Sequence, residues 1–158
     1  MVDLLQQTRL FRECTRHELE DIARYCEKAR CYEGQRIFEA KQPAEDIFIV
    51  KNGIIDLTMT VVHYTVPQDI TIDRKSAGDV FGWSALTEPY RYTLSAVAVK
   101  ESEVLKINRL VIKRMCEQNI FFGYMLMKTI AAIIGERFAL ARQMLMEMIQ
   151  QDLSEMEL

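Results

Sequence analysis

The chain has 158 residues, 49% apolar and 27% charged, with a net charge of −3. That balance suits one globular domain with a core of its own. It offers no basic surplus for nucleic acid or an anionic membrane, no apolar run of membrane-spanning length, and no signal peptide in the charged start MVDLLQQTRLFREC. The four cysteines, Cys14, Cys26, Cys31 and Cys116, lack zinc or iron–sulfur spacing. They read as small core residues of a reduced, cytoplasmic protein.

Thr15 and Glu18 form a capping box ahead of Leu19, Ile22, Ala23 and Cys26 at helical spacing. An amphipathic helix is therefore expected over residues 16–28, inside an N-terminal helical segment spanning 10–30. From 31 to 107 the character changes. Short β-rich runs (RIFEA, DIFIVKNG, IIDLTMTVV, DITID, LSAVAVK, EVLKI) alternate with turn signals at Gly34, Asn52-Gly53, Pro67 and Gly78. Asn52-Gly53 between apolar runs predicts a hairpin.

After Ile107 the strands stop. Asn108 is placed to cap a short helix over 108–118, and a long proline-free helix is expected over 120–150. Along it Met127, Ala131, Ile134, Phe138, Ala141, Leu145 and Met148 recur in steps of four and three, a heptad seam. A second apolar row, Leu126, Ile130, Ile133, Leu140 and Met144, occupies another face. One face is expected to pack on the β domain and the other on a second copy. Six of the nine methionines fall after Tyr124, as adaptable packing for such a helix. The acidic tail after Gln151 is expected to fray.

Three stretches in this order resemble the cyclic-nucleotide-binding-like domains of the Crp/Fnr (catabolite activator) family. They are YEGQRIFEAKQPAEDIFIVKNGIIDL (32–57), GDVFGWSAL (78–86) and SAVAVKESEVLKI (95–107). The likeness runs over about residues 10–150. One departure is Lys41, where the family often has a turn glycine. The resemblance implies a single domain over 1–158, mainly β with flanking helices. Its expected fold is a double-stranded β-helix, or jelly roll, of about eight strands with a long C-terminal dimerisation helix. In the family that helix leads to a helix-turn-helix. The chain as given ends at Leu158, which leaves two forms open: a stand-alone sensor, or a transcription regulator whose DNA-binding part lies outside it.

A cyclic nucleotide asks its site for a carboxylate on the ribose, an arginine and backbone N–H groups on the phosphate, and a lid on the base. In the family the carboxylate follows the cassette glycine. Here Gly82 is followed by Trp83, whose indole donates but does not accept. Ser84, Ala85 and Leu86 make a helical start whose N–H groups could still hold an anion. Counting back from EVLKI, the arginine position falls on Tyr92, with Thr93 after it and Arg91 one place early. Counting forward, Arg137 and Phe138 fall where relatives lay residues over the ligand. Arg137 interrupts an apolar row and needs an anionic partner: a ligand, Glu88, or Glu136 of a second copy.

The resemblance thus implies a non-catalytic sensory domain, and the departures at Trp83 and Tyr92 imply that it does not bind cAMP or cGMP in the usual way. The expected site comprises Gly82, Trp83, Ser84, Ala85, Leu86, Arg91, Tyr92, Thr93, Arg137 and Phe138. The expected effector is nucleotide-like, or another small anionic or aromatic molecule. The alternative is a ligand-free dimerisation module. No metal or haem is expected: His17 and His63 read as surface histidines, although some relatives bind haem through a roll histidine. No GxSxG or triad supports hydrolase chemistry. A homodimer through 120–150 is expected, with no contact to nucleic acid by this chain alone and none to membrane.

Overall fold

The computed structural model describes residues 1–63 and 65–156, with no side-chain description for His63 and Met156. The reading of His63 as surface residue or haem ligand therefore lies outside the described residues. Helix α1, Val2–Gln7, was not anticipated: six residues are too few to show a period. Helix α2, Arg16–Arg24, begins on the predicted capping box. Thr15 Oγ1 accepts from the Glu18 N–H at 3.3 Å, and the Glu18 carboxylate accepts from the Thr15 N–H at 2.7 Å.

The helix ends at Arg24, short of the expected 28. Strand β1, Glu27–Cys31, takes the remainder by pairing with β8, Ser102–Asn108. Opposite charges face each other there, Glu27 across from Lys106 and Arg30 across from Glu103. Sheet pairing with a distant strand outweighs a local helical period. The roll accordingly starts at 27 rather than 31.

The other strands are β2 Arg36–Phe38, β3 Asp46–Asn52, β4 Ile55–His63, β5 Val66–Lys75, β6 Val80–Phe81 and β7 Ser95–Ala98. They form two four-stranded antiparallel sheets, β1-β8-β3-β6 and β2-β7-β4-β5. The core lies between them and under the helices, where Ile47, Phe48, Ile49, Val50, Leu57, Val104 and Ile107 are buried. All four residues 47–50 are buried, so β3 is covered on both faces.

The Asn52-Gly53 turn is not a hairpin. It joins β3 of one sheet to β4 of the other. Gly53 has φ +100, and a Cβ there would lie 2.0 Å from Ser102 Oγ. Close approach to β8, not hairpin geometry, explains this glycine. The long hairpin is β4–β5, paired from Ile55↔Lys75 to His63↔Val66. Pro67 sits inside β5, which is tolerated because β5 is an edge strand.

Helix α3, Arg109–Gln118, starts on the expected cap: Asn108 Oδ1 accepts from the Leu110 N–H at 2.9 Å. Helix α4, Ile120–Met156, has 37 residues and continues through the segment expected to fray. Gly123 allows α4 close to α3, since a Cβ there would meet Cys116 at 3.2 Å. The second apolar row divides. Leu126 and Ile130 are buried with Phe122, whereas Leu140 and Met144 are exposed. The heptad seam faces solvent along its length: Phe138 is 71% exposed, Leu145 56% and Met148 63%.

Candidate functional site

The cassette glycine keeps its role. Gly82 has φ +73 and precedes a single 3-10 turn, Trp83–Leu86. A Cβ on Gly82 would sit 3.1 Å from the Asp46 carbonyl oxygen and 3.3 Å from the Tyr92 ring. Both the left-handed backbone and the crowding require glycine. Ser84 and Ala85 are buried beneath the turn, while Trp83 and Leu86 are half-buried.

Tyr92 fills the space inside the turn. It is only 6% exposed, and its ring stacks on Phe38 with centroids 3.7 Å apart and planes 12° apart. Phe38 also packs on Phe48 and Phe81, so the tyrosine extends an aromatic cluster. The phenol donates to the Asp46 carbonyl at 2.9 Å and accepts from the Asp46 N–H at 3.3 Å. The Tyr92 backbone is tied as well: its carbonyl accepts from the Lys41 N–H and its N–H donates to Gln42. Burial pushes the phenol pKa up to about 12.

Trp83 and Arg137 close the opening. The Arg137 guanidinium lies 5.0 Å from the indole centroid, within cation–π range. Its Nη2 donates to Asp73 Oδ2 of β5 at 3.0 Å. Neither Glu88 nor a second copy's Glu136 is needed to satisfy it. Glu136 instead turns to Arg9, with both carboxylate oxygens accepting at 2.6 Å. Between Phe38, Leu57, Gly82, Trp83, Tyr92 and Arg137 only about 20 Å³ remains. That is space for roughly one water, far below the ~300 Å³ at which small-molecule sites begin.

The remaining expected residues divide. Thr93 is exposed and borders the same small cavity. Arg91 is exposed and donates to the Lys41 carbonyl at 2.8 Å, outside the turn. Phe138 lies on the solvent-facing seam of α4, not over the cavity. The structure therefore brings Gly82, Trp83, Ser84, Tyr92, Thr93 and Arg137 together, turns Ala85 and Leu86 toward α3, and keeps Arg91 and Phe138 apart. Asp73 and Lys75 of β5, and Arg9 before α2, complete the charged surroundings of Arg137 and were not singled out in the sequence. Asp73 bridges Arg137 and Lys75, the latter at 2.8 Å.

Among the described residues no group of histidines, cysteines and carboxylates is placed to hold a metal ion. The cysteines are free. Burial pushes the Cys14 thiol up to about 12 and the Cys26 thiol to about 11, so both are poor nucleophiles near neutral pH. No described helix is long and apolar enough to cross a membrane.

A family model for the cyclic nucleotide-binding domain matches residues 29–119, from β1 past α3. The chain belongs to the cyclic nucleotide-binding domain family. A Geobacter metallireducens GS-15 crystal structure described as a cyclic nucleotide-binding protein agrees, at 30% identity and a TM-score of 0.71, covering 86% of this chain and 96% of that one. The fold also recurs in the Thermus thermophilus catabolite activator protein, at 22% identity and a TM-score of 0.73. That match covers 87% of this chain and 62% of that one. The N-terminal domain of a transcriptional regulator from Streptomyces coelicolor A3(2) shares it at 15% identity and a TM-score of 0.72, covering 85% and 94%. Among curated proteins no sequence matches this chain. The family is one of regulatory ligand-binding domains, and this member keeps the cassette glycine while filling the cavity behind it.

Proposed function

We infer that the chain is a single, non-catalytic sensory or regulatory domain that does not take cAMP or cGMP in the family manner. The observation that carries this is Tyr92. At the position the resemblance gives to the phosphate-binding arginine stands a buried phenol, stacked on Phe38 and bonded to the Asp46 backbone. With Trp83 in the carboxylate position, both charge-assisted contacts are absent. Each is worth about 1.5–3 kcal/mol, so their loss lowers affinity by roughly two to four powers of ten. Opening the cavity would further separate the aromatic pair and strand the Asp46 groups.

The same reading makes α4 the route of output. Its seam of Ile134, Phe138, Leu145 and Met148 is exposed in one chain, and a coiled-coil partner of the same sequence covers such a seam in register. A cytoplasmic homodimer is the form proposed. Native mass spectrometry after incubation with cAMP tests it. The expected species is a dimer without nucleotide adduct; a monomer, or a dimer carrying one nucleotide per chain, defeats the reading.

A second reading is favoured by the structural likeness to the catabolite activator and the Streptomyces regulator domain. In it this chain is the sensor half of a transcription regulator. Sequencing the gene beyond codon 158 decides between the two, because a helix-turn-helix following α4 identifies the regulator.

A further inference from the structure

Beside the closed family pocket lies a cleft of about 310 Å³, on the other side of Trp83 and Arg137. Its walls come from the segment before α2, from β5–β6 and from α4. Leu10, Val80, Ile133 and Leu140 make the apolar part with the Trp83 indole. Three cations line it, Arg9, Lys75 and Arg137, facing Asp73, Asp79 and Glu136.

We propose that this cleft is a binding site for a small organic anion with an apolar body, held between the Arg9 and Arg137 guanidiniums. The inference builds on the sensory reading but names a different site from the family pocket. The size is that of small-molecule sites, which begin near 300 Å³, whereas the family cavity holds roughly one water. Two guanidiniums from different elements line the cleft, suited to carboxylate or phosphate oxygens. The indole and aliphatic side chains supply the apolar remainder.

The present partners of these guanidiniums can be displaced without stranding a charge. If Arg137 leaves Asp73, that carboxylate keeps Lys75 at 2.8 Å. If Arg9 leaves Glu136, the freed side chain, already 63% exposed, is rehydrated. Asp79 is occupied separately by the Ser76 N–H at 2.8 Å and by its hydroxyl. Solvated ion pairs contribute little net stability, so exchanging them for contacts to a ligand carboxylate or phosphate costs little, and burial of the ligand's apolar body supplies the gain. Glu136 and Arg137 are also the α4 groups ion-paired to the roll and the N-terminal segment. Occupancy would untie both, so the site reports directly on the helix.

Trp83 is the single tryptophan, and its emission reads the cleft. The test titrates phenyl phosphate into the full chain at constant ionic strength, with inorganic phosphate and NaCl in parallel. The expected result is a saturable change in Trp83 emission, tighter for phenyl phosphate than for inorganic phosphate and absent with NaCl. Arg9→Gln and Arg137→Gln should each weaken binding at least tenfold. Asp73→Asn should tighten it, a gain that misfolding does not produce. No saturable change, binding unaffected by Arg9→Gln, or no tightening in Asp73→Asn overturns the proposal. Arg9 borders the cleft and not the family cavity, so the two readings fail separately. Cyclic AMP binding that survives Arg9→Gln defeats the closed family pocket; a silent cleft leaves that reading standing.

Discussion

Replacing Tyr92 by phenylalanine removes one oxygen from the centre of the site and leaves its shape. At pH 7 the Asp46 carbonyl and N–H lose their phenol partner, at a cost of about 1–2 kcal/mol. The pH dependence is more diagnostic. The folded phenol titrates at about 12, against ~10 for an unfolded tyrosine. Well below pH 10 both states hold the proton and its contribution is constant. Between 10 and 12 the unfolded chain binds fewer protons, so stability falls as pH rises, by about 1.4 kcal/mol per unit and about 2–3 kcal/mol in all. The Tyr92→Phe chain has no such proton to lose. Urea unfolding followed by circular dichroism at pH 8, 10 and 11 measures both chains. Titration of Cys14 and Cys26 is common to both and cancels in the difference. The advantage of tyrosine over phenylalanine should fall by about 0.4 kcal/mol from pH 8 to 10 and by about a further 1 kcal/mol by pH 11. A difference that stays flat to pH 11 would show that the phenol is not buried as described.

Three other variants probe the frame. Lys41 adopts φ +71, the conformation for which relatives use glycine, so Lys41→Gly should raise stability by up to about 1 kcal/mol in urea unfolding. Gly53→Ala meets Ser102 Oγ at 2.0 Å, and Ser102 holds the Ile54 N–H and the Lys100 carbonyl. A loss of about 3 kcal/mol or more is expected, visible as a lower thermal midpoint. Phe138→Glu with Leu145→Glu places charge on the exposed seam of α4. Sedimentation equilibrium should show monomer for this variant and dimer for the parent, with unchanged circular dichroism of the roll.

What was legible in the sequence was what local chemistry encodes. The Thr15 and Asn108 caps act within three residues, and Gly82 marks its turn by its own backbone. The alternation of short apolar runs and turns over the roll needs no long-range knowledge either. The end of α2 was not legible, because residues 27–31 answer to β8, and the Cys26 spacing continues the helical period regardless. Asn52-Gly53 misled because an exposed hairpin and a tight inter-sheet turn use the same residues. In the site, the cassette order exposed both unusual residues, Trp83 and Tyr92. That Tyr92 turns inward while Arg91 reaches the Lys41 carbonyl depends on which side chain completes the Phe38 cluster. The partner of Arg137 lies 64 residues away on β5, and only the folded chain brings Asp73 to it.

Isothermal titration of the unmodified chain with cAMP asks whether Trp83 and Tyr92 close the family pocket to cyclic nucleotides. With the pocket closed, no binding heat is expected at micromolar cAMP. Saturable binding with a micromolar or tighter Kd would contradict that closure.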